Sequence, residues 1–266
     1  MRILFIGDVV GKPGREAVRA LLPGLRKELS PGIVIANGEN SAGGLGVTKE
    51  TAVELLDSGI DALTLGNHVF AKKEVYGFLD EDARVVRPAN YPNGCPGRGW
   101  IICKDDCGRK VGIVNLCGRV FMPEHFDDPF RAADRILKEI SEQAQIVVVD
   151  FHAEATSEKA ALAWHLDGRA TAVLGTHTHV VTADERVLPE GTAFISDVGM
   201  TGPEDSVLGI RRELIVQKFM TQMPNKFEVA DGPASLAAVL VEADPSTGRA
   251  SSIRRIGADY RPASVG

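Results

Sequence analysis

The chain has 266 residues, of which 44% are hydrophobic and 25% charged, with a formal net charge of −6. That composition supports a sizeable core, and the acidic balance without any Lys/Arg run argues against a long nucleic-acid partner. No apolar stretch approaches the roughly eighteen residues of a membrane span, and the short apolar run within Met1–Val10 leads straight into a strand pattern rather than a secretory signal. A cytoplasmic protein without membrane partners is expected. Its four cysteines, Cys95, Cys103, Cys107 and Cys117, form no C-x-x-C pair and read as reduced thiols.

Taken in order, Ile3–Ile6 is an apolar run ended by Gly7-Asp8 and reads as a buried strand. Lys12–Leu29 has helical spacing, with Val18, Leu21, Leu22, Leu25 and Leu29 on one side, and Pro23 predicts a kink or break within it. Ile33–Ala36 is a second strand, ended by Asn37-Gly38-Glu39-Asn40. A glycine-rich loop follows, and Thr48 is placed to cap a helix reaching about Asp57. Ala62–Leu65 is a third strand, ended by Gly66-Asn67-His68. The pattern then predicts a helix near Lys72–Leu79, a strand near Arg84–Arg87, a loop over Pro88–Gly99, and a hairpin pairing Trp100–Lys104 with Lys110–Leu116.

Pro129–Gln143 and Ser157–His165 have helical patterns. Between them, Ile146–Val149 is an apolar strand ended by Asp150-Phe151-His152. Ala172–Leu174 is a strand running into Gly175-Thr176-His177-Thr178-His179, and Arg186–Leu188 with Thr192–Ser196 form a second hairpin. Gly199–Gly209 reads as a loop, and Ser235–Glu242 with Ser251–Ile256 as a last hairpin. No repeat, low-complexity tract or linker divides the chain, so one domain over residues 1–266 is expected. Helices alternating with strands imply a mixed or partly parallel sheet system covered by helices.

Ligands in such sheets gather at the carboxyl ends of strands. Asp8, Glu39-Asn40, Asn67-His68, His152 and the pair His177/His179 all stand there. If the H-x-H stretch is extended, both of its imidazoles face one side. Two carboxylates, carboxamide oxygens and several imidazoles exceed what one tetrahedral ion needs and suit two ions of intermediate character such as Mn, Fe or Zn. Paired metals about 3.5–4 Å apart are a recurrent device for cleaving phosphate esters. Their charge also lets an acidic protein present a positive pocket.

The motifs G-D at Gly7-Asp8, G-N-H at Gly66-Asn67-His68 and G-T-H-T-H at Gly175–His179 resemble those of the calcineurin-like metallophosphoesterases. The variants at Gly7–Arg15, Asn37–Gly44, Asp150–Glu154 and Asp197–Pro203 are similar to the YmdB-type bacterial branch, from residue 3 to about residue 210. Two departures from the wider superfamily, Val10 in place of the usual histidine and Glu39-Asn40 in place of an aspartate, follow the YmdB-type pattern.

The resemblance implies an α/β fold, a calcineurin-like sandwich of mixed β-sheets flanked by helices. It implies two metal ions per chain, iron or manganese with zinc also compatible. Asp8, Asn40 and His179 would hold one ion and Asn67, His152 and His177 the other, with Glu39 bridging. His68 would be the general acid to a metal-bound hydroxide, and the substrates would be small phosphodiesters, notably 2′,3′-cyclic nucleotides and also 3′,5′-cyclic AMP. Self-association as a dimer or tetramer is left open. So are a nucleotide-sensing role with incidental hydrolysis and a phosphomonoesterase or protein phosphatase on the same scaffold.

From the residues alone, His68 could equally be a ligand, and either Asp150 or Glu154 could orient an imidazole from behind. His125 has no partner motif, and His165, beside Trp164 on a helix, reads as structural. Gly7–Gly14 is neither a G-x-G-x-x-G nor a P-loop.

Overall fold

The structure, a computed structural model, describes residues 1–262, so the last four residues of the expected 1–266 domain lie outside the described residues. The chain begins β1 (Arg2–Ile6), β2 (Asp8–Val9), α1 (Gly11–Leu29), β3 (Ile33–Asn37), α2 (Lys49–Asp57), β4 (Ala62–Thr64), α3 (Val75–Glu81) and β5 (Val85–Val86). It continues β6 (Trp100–Lys104), β7 (Lys110–Cys117), α4 (Pro129–Ile140), β8 (Ile146–His152), α5 (Thr156–His165) and β9 (Ala172–Thr176). Then come β10 (Arg186–Val187), β11 (Ala193–Ile195), β12 (Met200–Pro203), β13 (Ser206–Val207), β14 (Ile210–Arg211), α6 (Arg212–Thr221), β15 (Ala234–Ala243) and β16 (Ala250–Tyr260).

Two mixed sheets result. The larger runs β2-β12-β15-β1-β3-β4-β5 with β16 on β15, and the smaller runs β10-β11-β9-β8-β7-β6. Strands β1, β3 and β4 are parallel neighbours, as are β7, β8 and β9, so their carboxyl ends line up along one rim. Their apolar runs are continuous because both faces are covered. Ile3, Phe5, Ile33 and Ile35 of the first sheet pack with Ile113, Val148, Leu174 and Ile195 of the second. Helices α1, α2 and α3 cover the outer face of the first sheet, and α4 and α5 that of the second. The layers are therefore helix, sheet, sheet, helix.

Two expectations change, and one element appears where none was expected. Of the kink or break expected at Pro23, the break does not occur, and helix α1 continues to Leu29. The proline lies on the exposed face, where water can serve the Arg19 carbonyl that it leaves without an intrahelical donor. The segment expected to be a loop at Gly199–Gly209 contains β12, paired in parallel with β2 and antiparallel with β15. Tertiary pairing outweighs the local preference of Gly202 and Pro203 for turns. Helix α6 has no apolar face pointing inward, since none of its residues is buried, so its periodicity gives no warning of it. Among the described residues no helix is long and apolar enough to cross a membrane.

Candidate metal centre

The rim formed by the carboxyl ends of β1, β3, β4, β8 and β9 carries every residue marked out at the strand ends. Asp8 lies two residues past β1, Glu39 and Asn40 follow β3, Asn67 and His68 follow β4, His152 closes β8, and His177 follows β9. Gly66 permits the convergence: a methyl group on its Cα would collide with Glu39 Oε2 and His152 Nε2.

One cluster centres on His152 Nε2, which lies 3.0 Å from Glu39 Oε1, 3.2 Å from Asn67 Oδ1 and 3.0 Å from His177 Nδ1. Glu39, His152 and His177 form a group able to hold a metal ion, with one ligand atom from each within 4.8 Å of the others. Burial opposes charge on the His152 ring, but Glu39, Asp8 and Asp150 outweigh it and push its pKa up to about 9. Burial with His152 alongside drives His177 down to about 3. The Glu39 carboxyl is held well below the usual range, because His152 and His68 overcome its burial.

A second cluster adjoins it through Glu39. His179 Nε2 lies 3.2 Å from Asn40 Nδ2 and 3.8 Å from Asp8 Oδ1, and Asn40 Nδ2 lies 3.1 Å from Glu39 Oε1. Amide nitrogen and oxygen exchange places by a half-turn of the side chain, so Asn40 can offer either atom. Asp8 is fully buried. Its Oδ2 accepts the His177 N–H, while its Oδ1 has no hydrogen-bond partner. Burial, with Asp197 and Glu39 nearby, raises its pKa. A buried carboxylate oxygen without a donor is costly, and a cation is the partner that suits it. His68 lies at the edge of this cluster: its Nδ1 faces Asn40 Oδ1 at 3.2 Å and Glu39 Oε1 at 3.4 Å, and about a third of the side chain is exposed.

Each imidazole is fixed from behind. His152 Nδ1 meets Thr176 Oγ1 at 2.9 Å, and Thr176 donates to Asp150 Oδ1 at 2.7 Å. The other Asp150 oxygen accepts from Thr64 and from Asn37 Nδ2. His177 Nε2 faces Glu154 Oε2 at 3.3 Å, and His179 Nδ1 donates to the Leu208 carbonyl at 3.1 Å. These bonds direct His152 Nε2, His177 Nδ1 and His179 Nε2 toward the rim, as outer partners of metal-ligating histidines do. Thr176→Val keeps the shape but removes the hydroxyl between His152 and Asp150. It is expected to weaken Mn²⁺ binding about 10–100-fold by titration calorimetry; an unchanged affinity would mean that the hydroxyl does not orient the ring.

The family model described as YmdB-like protein matches residues 4–256. The chain belongs to the YmdB-like family. A 2′,3′-cyclic-nucleotide 2′-phosphodiesterase of Bacillus subtilis (strain 168) is 50% identical to it over 256 residues, 96% of each chain. A crystal structure of a hypothetical protein from Thermus thermophilus matches with a TM-score of 0.91 and 46% identity, covering 98% of this chain and 100% of that one. A crystal structure of a novel phosphatase from Mycoplasma pneumoniae also has a TM-score of 0.91, at 33% identity and with coverage of 98% and 95%.

In this YmdB-like chain one geometric expectation fails. The H-x-H stretch is not extended: β9 stops at Thr176, and His177 and His179 have φ of +101° and +64°. The two rings therefore diverge, one to each cluster, instead of sharing a spot. The turn is held by Asp197, which accepts from Thr178 N–H and Oγ–H and from the buried Lys159 ammonium. Lys159, Thr64 and Thr176 carry no sequence signal for this role, since a lysine in a helix reads as surface. Both carboxylates flanking His152 have partners at the site: Asp150 reaches His152 through Thr176, while Glu154 faces His177. His165 instead faces Asp134 at the surface, and His125 is exposed outside both clusters.

Proposed function

We propose that this YmdB-like chain is a cytoplasmic, dinuclear-metal phosphodiesterase of the calcineurin-like sandwich type, acting on small phosphodiesters and on 2′,3′-cyclic nucleotides in particular. The observation that carries this is the pair of adjoining donor clusters sharing Glu39, with a buried Asp8 oxygen that no protein group serves. The donor set fits iron, manganese or zinc, being mixed N/O and free of thiolate. Asn67, His152 and His177 would hold one ion, Asp8, Asn40 and His179 the other, and Glu39 would lie between them. A bound metal pair supplies Lewis acidity toward the phosphate oxygens and lowers the pKa of the attacking water. The name of the Bacillus subtilis relative supports the substrate class.

The remaining work falls to His68. Its Nδ1 is engaged by Asn40 and Glu39, which leaves Nε2 to give a proton to the departing oxygen. In hydrolysis the attacking water gives up a proton to solvent and its oxygen joins phosphorus, the P–O bond to the ribose breaks, and the ribose oxygen takes the His68 proton, which solvent then restores.

The test is turnover of 2′,3′-cyclic AMP, bis-p-nitrophenyl phosphate and p-nitrophenyl phosphate with added Mn²⁺. Both diesters should be hydrolysed faster than the monoester, chelation should abolish turnover, and Mn²⁺ should restore it. A faster monoester would favour a phosphomonoesterase, and turnover unaffected by chelation would remove the metals from the proposal.

A further inference from the structure

Two carboxamides belong to the rim, and one of them is steered from outside it. Asn40 touches Glu39, His68 and His179, all of them rim residues. Asn67 reaches further: its Nδ2 lies 3.2 Å from Glu124 Oε1, while its Oδ1 faces His152 Nε2, also at 3.2 Å. An amide oxygen can ligate a cation and the NH₂ group cannot, and a half-turn of the side chain exchanges them. A carboxylate only accepts hydrogen bonds. Glu124 therefore takes the NH₂ group and leaves the Asn67 oxygen pointing into the cluster.

Glu124 stands on the loop between β7 and α4, which is tied at both feet. The Glu158 carboxylate accepts from the Arg119 and Val120 N–H groups. Asn90 Nδ2 donates to the Cys117 and Asp127 carbonyls at 2.8 and 2.9 Å. On the same loop, Phe126 packs edge-on against Tyr91 with ring centroids 4.8 Å apart, and the Tyr91 hydroxyl donates to the Asn67 carbonyl at 3.0 Å. The segment 88–99 thus fixes the Asn67 backbone, and the segment 118–128 fixes its side chain. The other Glu124 oxygen, Oε2, is buried and receives no hydrogen bond among the described residues. Burying such an atom costs stability, so packing alone does not account for a carboxylate here.

We infer, resting on the dinuclear reading above, that Glu124 is a positioning residue: it selects the oxygen of Asn67 as the donor to the ion held with His152 and His177. An aspartate at position 67 would present an oxygen either way round and would need no such selection.

Mn²⁺ titration calorimetry on the full-length chain tests this, with circular dichroism melts as a check on folding. The wild type should take up two ions. Glu124→Met should weaken one of the two binding events about 10–100-fold, and Glu124→Gln, which keeps the length and one acceptor oxygen, should lose less. In an Asn67→Asp background Glu124→Met should cost no affinity, and should gain some because two like charges are no longer side by side. A residue that merely props the loop would lose the same factor in both backgrounds. That result, or an unchanged affinity in Glu124→Met, would overturn the proposal and leave the metal centre standing. A wild type that takes up no Mn²⁺ would overturn both.

Discussion

His68→Ala is expected to lose about 10²–10⁴-fold in turnover of 2′,3′-cyclic AMP while keeping its metal. This variant separates the two roles that the sequence leaves open for this residue. His68 faces the rim through Nδ1, which points at Asn40 Oδ1 and Glu39 Oε1; it is not among the atoms grouped around His152 Nε2. On the proposed assignment, removing it takes away a proton donor and leaves the donor clusters whole. The leaving group supplies a further check. A ribose alkoxide needs a proton as the P–O bond breaks, whereas p-nitrophenolate is stable without one. The variant should accordingly lose far more on the cyclic nucleotide than on bis-p-nitrophenyl phosphate. Elemental analysis beside the two rates checks all of this. Metal loss in His68→Ala would make the residue a ligand, and equal losses on the two substrates would remove it from proton transfer.

Most of what the rim needs is visible in the chain as written. Apolar runs such as Ile3–Ile6 and Ile146–Val149 declare buried strands, and the polar residues that end them must then fall along one edge of a parallel sheet. That logic locates Asp8, Glu39, Asn40, Asn67, His68, His152, His177 and His179 without a structure. It does not show how the last two are aimed. An extended H-x-H would point both rings to one side, but the observed turn at positive φ sends them to different clusters. The cause lies in Asp197 and Lys159, far apart in sequence from each other and ordinary in their local context. Thr64 and Thr176 are equally silent, because a hydroxyl inside a strand looks like any β-branched residue until Asp150 is seen between them. Strand β12 escapes notice for a related reason: its glycine and proline favour turns, and only the partners β2 and β15 make it a strand.

Lys159→Met is expected to destabilise the fold by about 3–5 kcal/mol, seen as a lower urea midpoint with the slope unchanged. The lysine side chain is fully buried, and its ammonium lies 2.7 Å from Asp197 Oδ2. That oxygen also accepts from Thr178 N and Oγ1, while Oδ1 accepts from Gly199 N. Methionine fills the same space but leaves the carboxylate buried without its cation, and the penalty is the stranded charge rather than lost packing. The double variant Lys159→Met/Asp197→Leu should regain much of the stability, since apolar pairs often replace buried ion pairs without loss. It should not regain function. His177 and His179 hold backbone conformations that cost about 1–3 kcal/mol each in non-glycine residues, and the Asp197 bonds to Thr178 hold the turn in place. Without them the turn can relax and the two rings lose their aim. A double variant stable to urea yet weak in Mn²⁺ affinity and turnover is the expected result; full recovery of both would show that the ion pair serves stability alone.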